Sequence, residues 1–209
     1  MSKFLSLKPK DIIALGTYPQ AADGNGKTPV LWRVLENKNG SLFLLSEKIL
    51  DCKKYHFENA GITWRDCGLR KWLNGYFYNS AFSNEEKELI KSKEEDFVFL
   101  LSESEAIKNF DADGKFDNGK YDKNESRLAA GTDFAVKSGL WIWNGVYDGK
   151  TYSETDGRGK SVWWLKDNGA TGNNTAADVS YRGIIRPSGR EVICGDYGVR
   201  PAIILNYNF

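Results

Sequence analysis

The chain has 209 residues, 41% of them hydrophobic and 27% charged, with a formal net charge of +1, as in an ordinary globular domain rather than a disordered or fibrous chain. The balanced charge offers no basic face for nucleic acid, and no apolar run approaches the ~18 residues a membrane span needs. One histidine, His56, excludes sites built from two or three imidazoles, and three cysteines (Cys52, Cys67, Cys194) at unrelated spacings indicate neither a disulfide framework nor a zinc site.

Taken in order, the chain reads as short strands and helices. The first ten residues hold no signal-peptide core, so a cytoplasmic location is expected for the chain as written, and a surface or secreted one if it is a fragment of a longer protein. Asp11 to Gln20 reads as a strand closed by Pro19. Val30 to Glu36 is a second strand, Asn39-Gly40 is a hairpin dipeptide, and Ser41 to Ser46 returns antiparallel. Trp64 to Phe77 switches to helical spacing, with Leu69, Trp72, Leu73 and Tyr76 on one face. Ser83 and Ser102 each open a capping box, with Glu86 and Glu105 three residues on. Phe97 to Leu101 reads as a strand, Thr132 to Ser138 as a capped helix, and Leu140 to Trp143 as a strand with both tryptophans on one face. Val146 to Lys160 reads as a loop. Ser161 to Lys166, Ala177 to Gly183 and Gly198 to Leu205 form the densest part: two apolar runs bracket a polar stretch rich in turn formers, as in a buried sheet carrying surface loops. No linker interrupts the series, so residues 1–209 are expected to form one domain.

Trp32-Arg-Val-Leu35, Leu69-Arg-Lys-Trp-Leu-Asn74, Ala81-Phe-Ser83, Val98-Phe-Leu-Leu-Ser102, Trp163-Trp-Leu165 and Val199-Arg-Pro-Ala202 form an ordered series that resembles a bacterial family of domains of unknown function. The chain departs from that family at Lys166-Asp167, where Arg-Ser is usual, and a lysine lacks the planar fork of arginine. The family in turn resembles the C-type-lectin-like fold in its formylglycine-generating-enzyme branch, where a Trp-bearing strand leads into a variable loop and a Gly-Phe-Arg strand closes the sheet; Gly198-Val-Arg200 is the counterpart. That likeness implies an α+β domain, C-type-lectin-like, with mixed, mostly antiparallel sheets and short helices. The branch uses paired cysteines near its C-terminus. Only Cys194 lies there, so its activity is not implied.

His56 sits near Lys53, Lys54 and Tyr55 and reads as a solvated loop residue. Asp111, Asp113 and Asp117 stand at the first, third and seventh positions of a calcium-type loop. Gly114 comes too early, Phe116 occupies the turn position, and Asp122 replaces the closing glutamate. A solvated acidic loop is therefore expected, and calcium is the one cofactor left open. Arg200, in an apolar strand before Pro201, is expected to be structural. The loops between Lys166 and Tyr197 carry Tyr181, Arg182, Arg186, Arg190, Asp196 and Tyr197, the residue types of adaptable recognition over a rigid sheet. With Lys166, Trp141 and Trp143 these form the expected ligand-binding set, no catalytic residue being assigned. The leading expectation is a non-enzymatic binding domain for a carbohydrate, peptide or protein. The alternatives are a hydrolase or degenerate enzyme of the formylglycine-generating-enzyme fold, and a structural or assembly domain of a phage or surface complex.

Overall fold

The computed structural model describes residues 2–110, 123–147, 150–151 and 158–207. The strands are β1 (Ile12–Tyr18), β2 (Thr28–Lys38), β3 (Ser41–Ser46), β4 (Asp51–Cys52), β5 (Ile90–Lys91), β6 (Val146–Tyr147), β7 (Lys150–Thr151), β8 (Trp163–Asn168), β9 (Thr175–Val179), β10 (Ile185–Glu191), β11 (Gly198–Val199) and β12 (Ala202–Asn206). One sheet has the order β1-β2-β3-β12-β5 and a second the order β10-β9-β8-β11-β4; β6 and β7 pair by themselves. Among the described residues every ladder is antiparallel except β11 on β8. The class is α+β with few short helices.

The first sheet follows from local chemistry. Asn39 and Gly40 both have positive φ, 52° and 74°, the backbone a two-residue hairpin needs to match strand twist, and Lys38 pairs with Ser41 across it. The last strand, β12, inserts between β3 and β5, and its Ile203 and Leu205, on one face of the strand, are fully buried in one core with Val34, Leu42 and Leu44. In the second sheet Trp163 and Trp164 are adjacent on β8 and point to opposite faces, yet neither has any exposed surface. Trp164 joins the core built with Tyr55, Leu69, Leu73 and Phe77. Trp163 joins a second cluster with Leu45, Ile49, Phe99 and Leu140. The sheet is thus covered on both sides.

Arg200 sits between these layers, fully buried. Its Nε donates to Ser46 O (2.9 Å), Nη1 to Arg127 O (3.3 Å) and Nη2 to Glu47 O (3.4 Å), and its guanidinium lies 5.1 Å from the Trp163 ring. It is the structural arginine the sequence suggests, held by carbonyls rather than by a carboxylate. Burial pulls its pKa down, with Glu47 opposing.

Several local expectations need correction. The helix starts at Gly68, not Trp64, and runs Gly68–Trp72, Leu73–Phe77 and Tyr78–Ala81, the middle piece being a π-helix. The wider i→i+5 turn rotates Tyr76 out, leaving it 65% exposed, and turns Phe77 into the core beside Leu69 and Leu73. Phe97 to Leu101 is extended and mostly buried but belongs to no ladder. Its Phe97 and Val98 amides donate to Asn74 Oδ1 (2.7 and 3.1 Å), Phe99 alone bridges Ala202, and Leu101 O accepts from Lys166 N (2.9 Å). Leu140 to Trp143 is not a strand either; Ile142 makes one bridge, to Ser161. Residues 146–160 hold the β6–β7 pair in what reads as a loop. His56 is buried, its Nδ1 accepting from Gly68 N (3.2 Å) at the helix start and its ring 4.2 Å from that of Phe57. Both capping boxes form, at Ser83 and Ser102, and Thr132 caps its helix. All three cysteines are free. No helix among the described residues is long and apolar enough to cross a membrane. Asp111, Asp113, Asp117 and Asp122 lie outside the described residues.

Candidate functional site

The loops at one end of the second sheet enclose a cavity of about 430 Å³, within the range of about 300–1,000 Å³ common for small-molecule sites. Its Arg186 and Tyr197 are backed by a row of side chains across three strands. Arg186 on β10 stands opposite Asp178 on β9, and Asp178 stands opposite Trp164 on β8. Arg186 Nε donates to Asp178 Oδ1 (2.7 Å) and Nη2 lies 2.6 Å from the same oxygen; Nη2 also donates to the Tyr197 hydroxyl (3.1 Å). The Tyr197 ring stacks on Trp164 at 4.3 Å.

Asp178 has no exposed surface, and its Oδ2 is buried without a hydrogen-bond partner. Burial pushes its carboxyl up to about 6, although Arg186 pulls the other way. Burial and the nearby Asp178 push the Tyr197 phenol up to about 12. Burial opposes the charge on Arg186, and Asp178 and Tyr197 outweigh it, so its pKa is raised. The guanidinium is thus clamped from beneath and charged, while the Arg186 side chain is still 38% exposed and lines the cavity.

The wall is aromatic. Trp141 and Trp143 ride on a strap tied down by backbone bonds: Trp141 N to Asp196 O (3.0 Å), Trp143 N to Lys160 O (2.9 Å) and Gly159 N to Trp143 O (2.8 Å), with the Ser161 hydroxyl donating to Trp141 O. Tyr181 comes from the tight β9–β10 turn. There Ser180 Oγ accepts from Arg182 N and Ile184 N, and Gly183 sits at φ +73°. A Cβ on Gly183 would stand 2.0 Å from Asn124 O, so only glycine fits. Tyr181 stacks on Trp143 at 4.6 Å and tilts against Trp141 at 5.4 Å. Trp143 is buried and Trp141 is 38% exposed, so the Trp143–Tyr181 pair is a fixed backing and Trp141 the open plate.

The rim is charged and polar, with Arg190, Asp196 and Asn144. Between the pairs Arg186↔Asp178 and Arg190↔Ala176, three residues of β10 stand against one of β9. Such a bulge re-aims side chains, and Arg190 is brought to the same cavity as Arg186. Neither Arg190 nor Asp196 makes a side-chain hydrogen bond or ion pair to another described residue.

Of the eight residues named from the sequence, Trp141, Trp143, Tyr181, Arg186, Asp196 and Tyr197 line this one cavity. Arg182 stands behind it, its guanidinium 5.5 Å from the Tyr181 ring and its Nε buried without a partner. Lys166 stands elsewhere: its ammonium is taken by Glu94 at 2.9 Å, in the turn closed by Lys93 and Asp96. The residue missed is Asp178, and its signal is a lone carboxylate inside the apolar strand Ala176-Ala-Asp-Val179. Asn144, Ile142, Val146 and Val162 also line the cavity and carry no pattern of their own. Among the described residues no group of three or more His, Cys, Asp or Glu is placed to hold a metal ion.

No curated protein and no solved structure matches the chain. A family model described as a domain of unknown function, DUF6273, matches residues 39–207; the match takes in every cavity residue and leaves out β1 and β2. With well over half of its length matched, the chain belongs to the DUF6273 family.

Proposed function

We propose that this protein is a non-enzymatic binding domain that recognises a ring-bearing polar ligand, a carbohydrate or a peptide side chain, in the cavity of its C-terminal loops. The observation that carries this reading is the pre-built combination of a stacked aromatic wall with a clamped guanidinium. The Trp143–Tyr181 stack and the Asp178–Arg186–Tyr197 row are already in place, so binding need not order them, and such preorganisation lowers the cost of association. One carboxylate, Asp196, lines the cavity, and the raised one, Asp178, is engaged by Arg186 beneath it. Among the described residues no two carboxylates face a common ligand there, as two-acid glycoside hydrolysis requires. The C-type-lectin-like reading of the fold is part of the same proposal. Its support is the closing Gly198-Val-Arg200 segment, the Trp-bearing β8, and a cavity that the loops after β8 share with the strap that carries Trp141 and Trp143.

The test is thermal unfolding against a panel of sugars and peptides, on wild type and Trp141→Ala. A ligand at about 100 times its Kd adds about 2.7 kcal/mol, a shift of roughly 5–10 °C for a chain of this size. The expected result is a shift in wild type that Trp141→Ala abolishes while its own unliganded midpoint stays close to wild type. A ligand whose shift survives undiminished in Trp141→Ala binds elsewhere and sinks the assignment.

A further inference from the structure

We propose that the ligand is a sugar bearing a single carboxylate, of the uronic-acid kind, with the carboxylate held by Arg186 and Arg190 and the ring laid on Trp141; this rests on the binding-domain reading above. The Arg186 fork is only half used. Nε and Nη2 are committed to Asp178 and Tyr197, and Nη1 has no hydrogen-bond partner among the described residues. A guanidinium edge with free N–H groups in a partly dry cavity is matched geometrically to a carboxylate. Arg190, exposed on the same cavity and without an ion pair among the described residues, is a second cation for the same anion.

Charge counting narrows the anion. Asp178 offsets Arg186, which leaves Arg190 against Asp196. A phosphate, near two negative charges at neutral pH, would meet too little positive charge and would face Asp196. A monoanion that also carries hydroxyls fits better: its carboxylate turns to the arginines while its hydroxyls donate to Asp196 and exchange hydrogen bonds with Asn144. The aromatic wall selects the rest of the molecule. The face of an indole is electron-rich, and the C–H face of a pyranose, partly positive, lies on it. Trp141 offers one such face, and Tyr181 and Trp143 already occupy one another. An extended peptide adding to the β10 edge is disfavoured by Pro187, by Gly189 at φ +68° and by the bulge, features that blunt strand edges.

The test is calorimetric titration of the full chain with oligogalacturonate, the neutral oligosaccharide of the same linkage, inorganic phosphate and benzoate, on wild type, Arg190→Gln and Trp141→Ala. The acidic sugar is expected to bind at least about tenfold more tightly than its neutral counterpart, as charge-assisted hydrogen bonds allow, and to weaken with salt. Arg190→Gln, an exposed change that spares the Asp178 pair, is expected to erase most of that preference, and Trp141→Ala to weaken both sugars. Equal affinity for the neutral sugar, unchanged in Arg190→Gln, overturns the carboxylate assignment and leaves the binding-domain reading standing. Tighter binding of phosphate or benzoate than of the sugar overturns the sugar assignment. A protein that binds none of the four overturns this inference, and the panel above then decides the broader reading.

Discussion

Replacing Asp178 by asparagine tests the physics of the buried row behind the cavity directly. The carboxyl has no exposed surface and one unpaired oxygen. Burial lifts it from an ordinary 3.8 to about 6 in the fold, against the pull of Arg186. A displacement of that size corresponds to about 3 kcal/mol between the two protonation states. Because the folded-state value lies above the unfolded one, the folded protein holds this proton more tightly. The stability it contributes is complete below about pH 3.8 and is lost as the pH rises through about 6. Asparagine has the same shape, keeps an acceptor for Arg186 Nε and has no proton to lose. Asp178→Asn is therefore expected to gain about 3 kcal/mol on wild type between pH 3 and pH 8, whatever their difference at pH 3. Other carboxylates titrate alike in both proteins and cancel in the comparison. Urea unfolding followed by tryptophan fluorescence at several pH values reads the difference, which in thermal melts is roughly 6–12 °C. A difference that stays within about 1 kcal/mol across that range, or that grows in favour of wild type, means that Arg186 compensates the buried charge and that the argument is wrong.

Two further outcomes follow from burial elsewhere. Arg200→Lys is expected to cost about 2–4 kcal/mol in urea unfolding, because one ammonium cannot serve the three carbonyls that the planar fork reaches; a wild-type midpoint would show that those bonds contribute nothing net. Iodoacetamide is expected to modify Cys194 first, since it is only partly buried. Burial pushes Cys52 up to about 12 and Cys67 up to about 11, so both stay unmodified until the chain unfolds. Early labelling of Cys67, read by mass spectrometry, would contradict its packing at the helix start.

The cavity shows what was legible and why. Tyr181, Arg186, Asp196 and Tyr197 stand out because amphipathic and charged residues cluster in one loop-rich stretch beside an apolar strand. Asp178 does not stand out, since a single carboxylate in an apolar run becomes meaningful only once Arg186 is known to face it across the β9–β10 ladder. Lys166 is the converse. Its proximity in sequence to the tryptophan strand suggests the site, yet its ammonium goes to Glu94, a turn 72 residues away. Tyr76 and Phe77 exchange roles for a local reason, a π-turn that shifts the helix phase by part of a turn, which a 3.6-residue period does not contain.

The sequence by itself determined the local pieces: the Asn39-Gly40 hairpin, the capping boxes at Ser83 and Ser102, the cap at Thr132 and the apolar strands around Trp163 and Ala202. Each depends on interactions among residues a few positions apart, so the chemistry is written next to the structure it makes. Only the tertiary structure decided that β12 enters the middle of the first sheet, that Phe97 to Leu101 runs between two sheets, hydrogen-bonded to both without forming a ladder, and that Trp141, Tyr181 and Arg186 meet. Those outcomes are set by burial and backbone hydrogen bonding between segments far apart in the chain, where many pairings share the same hydrophobic pattern and only the one that leaves the fewest polar groups unpaired survives.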